Sequence, residues 1–194
     1  MLQRTFRLTP LIAIATFFAA SAFAQAQGAP NLSGGDRKFL DKAAAHGAAE
    51  VEMGRLAQQK GASQQVKDFG ARMVQDHGKA NDELKTLASA KGMAPAAKPD
   101  KEHEKKLASL QDKSGTDFDK AYMKEMVADH KKDVAEFRKQ AKSAKDPEVK
   151  AFAEKTLPTL EGHLKLAQET DKAVRGGGKV ASNTAPKGNT TSTR

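Results

Sequence analysis

Met73-Val74-Gln75-Asp76-His77 returns almost letter for letter as Met126-Val127-Ala128-Asp129-His130. Beyond the pentapeptide, Lys79, Glu83 and Ala88 also match their counterparts at the same offset. Each copy lies in a run of apolar residues with helical spacing. The first run is Val66, Phe69, Met73, His77, Ala80, Leu84, Leu87, and the second is Met123, Val127, His130, Val134, Phe137, Ala141. In both, a histidine stands on the apolar stripe, directly after an aspartate. Two long amphipathic helices that each place an imidazole where a hydrophobic side chain belongs must bury those rings together or find partners for them. This demand narrows the fold to a helical bundle with a polar interior layer.

The N-terminus has the organisation of a secretory signal. Arg4 and Arg7 form a basic start, Leu11 to Ala20 is an apolar run, and Ala22-Phe23-Ala24 is an A-x-A cleavage site. The run is too short to span a bilayer and no later segment is longer, so residues 1–24 read as a signal peptide. The mature chain is expected in the periplasm or outside the cell, as a monomer or weak oligomer. It has no cysteine, so disulfides contribute nothing to its stability. Alanine, leucine, lysine, glutamate and glutamine dominate, aromatic content is 5%, and tryptophan is absent, a composition suited to helices. The net charge is +9, and it stays positive when the two signal arginines are removed. A basic surface and tail suit an anionic envelope component such as lipid or polysaccharide. They do not suit nucleic acid, because lysines alternate with acids along the helices and no aromatic platform accompanies them.

In order, residues 25–35 read as a linker. Helices follow over about 36–59, 63–91, 116–144 and 147–174, and residues 175–194 read as a disordered basic tail. Asp36 is the expected cap of the first helix and Ser63 of the second. Thr116 with Asp119 is expected to open the third as a capping box, and Asp146-Pro147 the fourth. Pro158 lies inside the last helix and is expected to kink it. Residues 92–115 form a crossover with a short charged helix, in which only Leu107 and Leu110 are apolar docking residues. Two short connections flanking one long one give an all-α, ferritin-like antiparallel four-helix bundle with a long crossover between helices 2 and 3.

Counted from the hairpin turns, His46, His77, His130 and His163 all fall near mid-bundle, with His46 the least secure because seam spacing favours Gly47. Glu50, Asp76, Asp129 and Asp133 are their neighbours in sequence. Such a layer of nitrogen and oxygen donors suits iron, zinc, copper or manganese, with His77, His130, His163 and Glu50 as first candidates for ligands. His46, Asp76, Asp129 and Asp133 are further candidates. Carboxylate-bridged di-iron bundles carry Glu-x-x-His on two helices, and here Ala43, Val74, Val127 and Leu160 stand three residues before the helical histidines. The nearest pattern, Asp100-x-x-His103, falls in the crossover, where solvation is expected. Met73, Met123 and Met126 read as core filler. The alternative to a metal is a polar layer that fixes helix register through His–Asp hydrogen bonds. Catalysis finds no nucleophile or glycine-rich phosphate loop to carry it.

Several short motifs are also familiar together: Glu50 with Leu56-Ala57, Val66-Lys67-x-Phe69, Met73-Val74-x-Asp76-His77, Phe118-Asp119-x-Ala121-Tyr122, Asp129-His130 and Leu157-Pro158-x-Leu160-x-x-His163. Over about residues 36 to 172 the chain resembles a bacterial domain-of-unknown-function family. Its members are exported, are often labelled outer membrane proteins, and are grouped with ferritin-like folds. The resemblance implies the fold and the export, and no established activity. The chain lacks the ten-residue alternating strands of a membrane barrel.

Overall fold

The computed structural model describes residues 32–176. The signal peptide, most of the linker and the tail beyond Gly176 lie outside the described residues. Five helices follow in order: α1 (Gly34–Lys60), α2 (Gln64–Ala90), α3 (Lys101–Gln111), α4 (Gly115–Ser143) and α5 (Pro147–Arg175). Four of them, α1, α2, α4 and α5, make the bundle, and α3 is the short helix of the crossover. The α1–α2 and α4–α5 hairpins are the two most extensive pairings, and α2 meets α5 while α1 meets α4. No helix among the described residues is long and apolar enough to cross a membrane.

Local chemistry sets the ends. Ser63 and Asp146 cap α2 and α5, each side chain accepting a hydrogen bond from backbone N–H groups of the first turn. The end of α2 is a Schellman turn: Gly92 takes φ +66°, the Met93 N–H bonds the Ala88 carbonyl, and the Gly92 N–H bonds that of Ser89. Pro158 does not interrupt α5, which runs through it as one helix. It lies on the exposed face together with Glu154, whose carbonyl loses its usual donor.

Two expected caps are used differently. Ser33, not Asp36, caps α1, so the helix begins within what the sequence reads as linker. The Asp36 side chain instead crosses to the α4–α5 turn and accepts hydrogen bonds from the Lys145 and Asp146 N–H groups at 3.0–3.2 Å. Asp119 likewise does not box the start of α4, where Ser114 is the cap residue without a side-chain bond. Its carboxylate accepts from Ala62 and Ser63 N–H at 2.9 and 2.8 Å, in the α1–α2 turn. Each hairpin thus holds the turn of the other with an aspartate from the start of its own first helix. Val66 with Val149, Phe69 with Phe152, and Ser63 with Asp146 keep the same sequence offset as Asp36 with Asp119. The shared pattern belongs to two hairpins of one design.

Both aspartates are 2% exposed, so loss of either leaves buried donors without partners. Asp36→Ala is expected to destabilise the chain by about 2–3 kcal/mol, one unsatisfied donor costing about 1–3 kcal/mol. Asp36→Asn, which keeps one acceptor oxygen, should lose roughly half as much. Urea unfolding midpoints measure both, and an unchanged midpoint in Asp36→Ala would show that the cross-clamp carries no energy.

The core is divided in two. One apolar cluster gathers Leu40, Leu84, Val134, Phe137, Val149, Phe152 and Leu160, and the other Met53, Val66, Phe69, Met73, Leu110, Phe118, Tyr122, Met123 and Met126. Between them lie buried Glu50, His77, His130, Asp133 and His163.

Candidate metal centre

His77 from α2, His130 from α4 and His163 from α5 converge in this middle layer. Their ring centroids are separated by 5.5, 5.4 and 5.4 Å, close to an equilateral triangle. One ring nitrogen from each lies within 4.8 Å of the other two. The placement follows from the pattern in sequence: each residue sits on its helix's apolar stripe, so packing the three stripes together brings the rings together.

Hydrogen bonds fix which nitrogens face inward. His130 Nδ1–H donates to the Met126 carbonyl at 2.9 Å, which leaves its Nε2 as a lone pair 3.5 Å from His77 Nε2. His163 Nε2–H donates to Asp76 Oδ2 at 2.8 Å, and its Nδ1 is buried without a hydrogen-bond partner. A backbone carbonyl and a carboxylate on the far nitrogens are the partners that orient metal-binding imidazoles.

Burial drives the charge state of all three rings in one direction. It lowers the pKa of His77 strongly, with His130 and His163 adding to the effect. It lowers that of His130 to about 4, against the opposing pull of Asp133. His163 is lowered too, its burial only partly offset by Asp76. At neutral pH the layer is therefore three neutral imidazoles, the form that binds a metal.

The remaining residues singled out in the sequence lie around this triangle and not in it. Glu50 is 1% exposed, and its Oε1 stands 3.8 Å from His130 Nδ1, the nitrogen already bonded to Met126. Neither Glu50 oxygen has a hydrogen-bond partner, and burial pushes its pKa well above the carboxylate range, with Asp133 and Asp129 adding to the rise. Nearby Tyr122 is raised as well, by burial and then by Glu50. His46 does not join the other histidines in one layer. It lies one position off the α1 seam, which Gly47 occupies, and turns towards α4, where its Nδ1–H donates to Asp133 Oδ1 at 2.8 Å.

The crossover departs most from expectation. His103 is 2% exposed, not solvated, and its ring centroid is 4.4 Å from that of His46. Its Nδ1–H donates to Asp100 Oδ1 at 2.8 Å, and its Nε2 is 3.8 Å from Asp129 Oδ2. Lys106 pairs with the other oxygen of Asp129. Lys106 is the residue that sequence reasoning missed, while His103, paired there with Asp100 but expected in solvent, is buried. The available signal was spacing: His103, Leu107 and Leu110 form one helical stripe, so the histidine docks with the two leucines.

Fold and site together define a class, the helical bundles whose buried His/Asp clusters are capable of coordinating a metal ion. The chain belongs to the family described as domain of unknown function DUF4142, which it matches over residues 21–170. Among solved structures, it is similar to a DUF305 fragment from Deinococcus radiodurans, with a TM-score of 0.64 at 15% identity, covering 72% of this chain and 97% of that one. It is also similar to CopM in the Cu(II)-bound form, with a TM-score of 0.61 at 17% identity, covering 71% of this chain and 95% of that one. At these identities the likeness is one of fold. No curated protein matches the chain in sequence.

Proposed function

We propose that the protein is an exported metal-binding bundle for metal storage or stress protection, with His77, His130 and His163 as the ligands. The observation that carries this reading is the inward set of nitrogens. His163 Nδ1 is buried with no partner, and His77 and His130 Nε2 are 3.5 Å apart. That spacing is close to the roughly 3.4 Å edge of a tetrahedron with metal–nitrogen bonds of about 2.1 Å. An all-imidazole set favours copper or zinc, with iron next; manganese prefers oxygen donors. Copper is the first ion to try, because the structural neighbour CopM is described in a Cu(II)-bound form. Bound there, the ion would supply Lewis acidity or, for copper, redox capacity. The chain's own contribution is to hold three neutral rings, orient two of them through Met126 and Asp76, and keep bulk water out. His130 and His163 are at most 1% exposed, which suits retention of an ion better than turnover of a substrate. Glu50, beside His130 Nδ1, adjusts charge near the site and is not a ligand in this reading.

A second reading has its own support. The His163–Asp76 and His46–Asp133 bonds tie α5 to α2 and α1 to α4, as a purely architectural polar layer would. In that case the protein is an envelope module that acts through its basic surface on an anionic partner. Elemental analysis of the mature chain purified without a His-tag, with thermal melts before and after chelation, separates the two. The metal reading expects bound metal, a melting temperature that falls on chelation, and loss of one equivalent in the His77→Gln/His163→Gln variant. Metal-free protein whose melt ignores added copper, zinc, iron and manganese would leave the layer as architecture.

A further inference from the structure

We propose that His46, Asp100 and His103 form a second divalent-cation site, which fastens the crossover helix α3 to α1 and α4. One ligand atom from each of the three lies within 4.8 Å of the other two. His46 Nε2 is 3.7 Å from Asp100 Oδ2, and His103 Nδ1 is 2.8 Å from Asp100 Oδ1, so two imidazole nitrogens converge on one carboxylate. The far nitrogen of each ring faces another carboxylate. His46 Nδ1 bonds Asp133 at 2.8 Å, and His103 Nε2 stands 3.8 Å from Asp129 Oδ2.

Asp129 supplies the independent observation. The residue is 1% exposed and its Oδ2 has no hydrogen-bond partner, a costly condition for a buried carboxylate oxygen. His103 Nε2, the ring nitrogen that faces it, stands 3.8 Å away, beyond hydrogen-bond reach. The other nitrogen of that ring, Nδ1, is held by Asp100 Oδ1 at 2.8 Å. When a cation occupies the Asp100 side, Nδ1 becomes a ligand and the single ring proton resides on Nε2, facing Asp129 Oδ2. A ring movement of about half an ångström then brings that proton within hydrogen-bond reach of the orphaned oxygen. Both rings then have the carboxylate–histidine–metal arrangement.

Two imidazoles and a carboxylate make a mixed nitrogen and oxygen set that suits zinc or iron(II), distinct from the all-nitrogen triangle. The Asp100 side chain is 42% exposed, so the ion enters from the solvent side and water completes its coordination. The inference does not depend on the three-imidazole reading.

Zinc titration of the metal-free mature chain by calorimetry, with hydrogen exchange followed on α3, tests it. Asp100→Asn retains a good helix cap and removes the anionic ligand, so the variant keeps its fold. His103→Gln is the second variant. The expected result is a zinc equivalent weakened at least tenfold by either change and untouched by His77→Gln/His163→Gln. Zinc should also slow exchange of the α3 amides in the parent chain. Zinc binding that ignores both Asp100→Asn and His103→Gln, or the absence of any zinc effect on α3, overturns the proposal. A single equivalent lost only in the His77/His163 variant would overturn it and leave the three-imidazole reading standing. The converse pattern would support this site and remove the other.

Discussion

Acidification from pH 7 to pH 5 lowers the stability of the metal-free Glu50→Gln chain by at least about 2 kcal/mol, read as the shift in its urea unfolding free energy. The sign follows from the rings. His130 titrates at about 4 when folded, against about 6.5 in an unfolded chain. The unfolded state therefore takes up the proton first. Stability is intact above about pH 6.5 and is lost as pH falls towards about 4. Over the 1.5 units from about 6.5 to 5, His130 alone accounts for about 2 kcal/mol. His77 and His163 are lowered in the same direction and add to the loss. The groups facing His130 are Glu50, Asp129, Asp133 and the other two histidines, and Glu50 works in the opposite sense. Its raised pKa gives stability that is present below its unfolded value and lost as pH rises, so in the parent chain it partly masks the histidines. Glu50→Gln removes that mask and should raise stability at pH 7, because the amide does not ionise. An equal stability at pH 7 and pH 5 in this variant would mean that the imidazoles are not buried in their neutral form.

The other large effect expected concerns the approach of α1 to α2. A Cβ built on Gly70 would lie 2.7 Å from the Gly54 carbonyl oxygen and 2.8 Å from the Ala57 Cβ; one on Gly54 would lie 2.7 Å from the Gly70 carbonyl oxygen. These contacts are with backbone and with the first atom of a side chain, which no rotamer change can relieve. Gly70→Ala gains about 1 kcal/mol in helix propensity. It must also push the two helices apart, and overpacking of this kind typically costs 1–3 kcal/mol, occasionally more. Two contacts under 3.0 Å place the cost at the upper end of that range, so a net loss of about 2 kcal/mol is expected, a fall in melting temperature on the order of 4–8 °C. Gly162→Ala is the control: its Cβ meets nothing within 4 Å on an exposed stretch of α5, so only the propensity gain remains and the melt should rise. If Gly70→Ala melts as high as Gly162→Ala, the close seam between α1 and α2 is not a constraint on the fold.

The fold was legible because its determinants are local. Helical spacing of apolar residues marks the four long segments, and Ser63 and Asp146-Pro147 announce two of the starts by their own side chains. The His77, His130 and His163 convergence was legible for the same reason, each ring standing on a stripe that had to face the core. What escaped was chemistry between residues distant in sequence. Asp36 and Asp119 have the right types and positions for ordinary caps, and nothing local tells that they bond the opposite turn. His46 lies one residue off its stripe, and a single step of about 100° around a helix decides whether a ring meets the triangle or α3. His103 was passed over because a charged, short helix suggests solvent, although its leucines already marked the buried side.

The exchange of aspartates between turns bears on how the chain comes to be folded at all. The first hairpin reaches its connecting turn well before Asp119 has been synthesised, and the turn of the second takes its carboxylate from Asp36, at the start of the first. Each half withholds from itself the part it lends to the other. A hairpin formed alone leaves these turn donors to water, and burying them without cost requires docking in the orientation that brings each carboxylate to the opposite turn. The three-histidine cluster likewise draws on both halves, His77 from the first hairpin and His130 and His163 from the second, so it is assembled only when they dock.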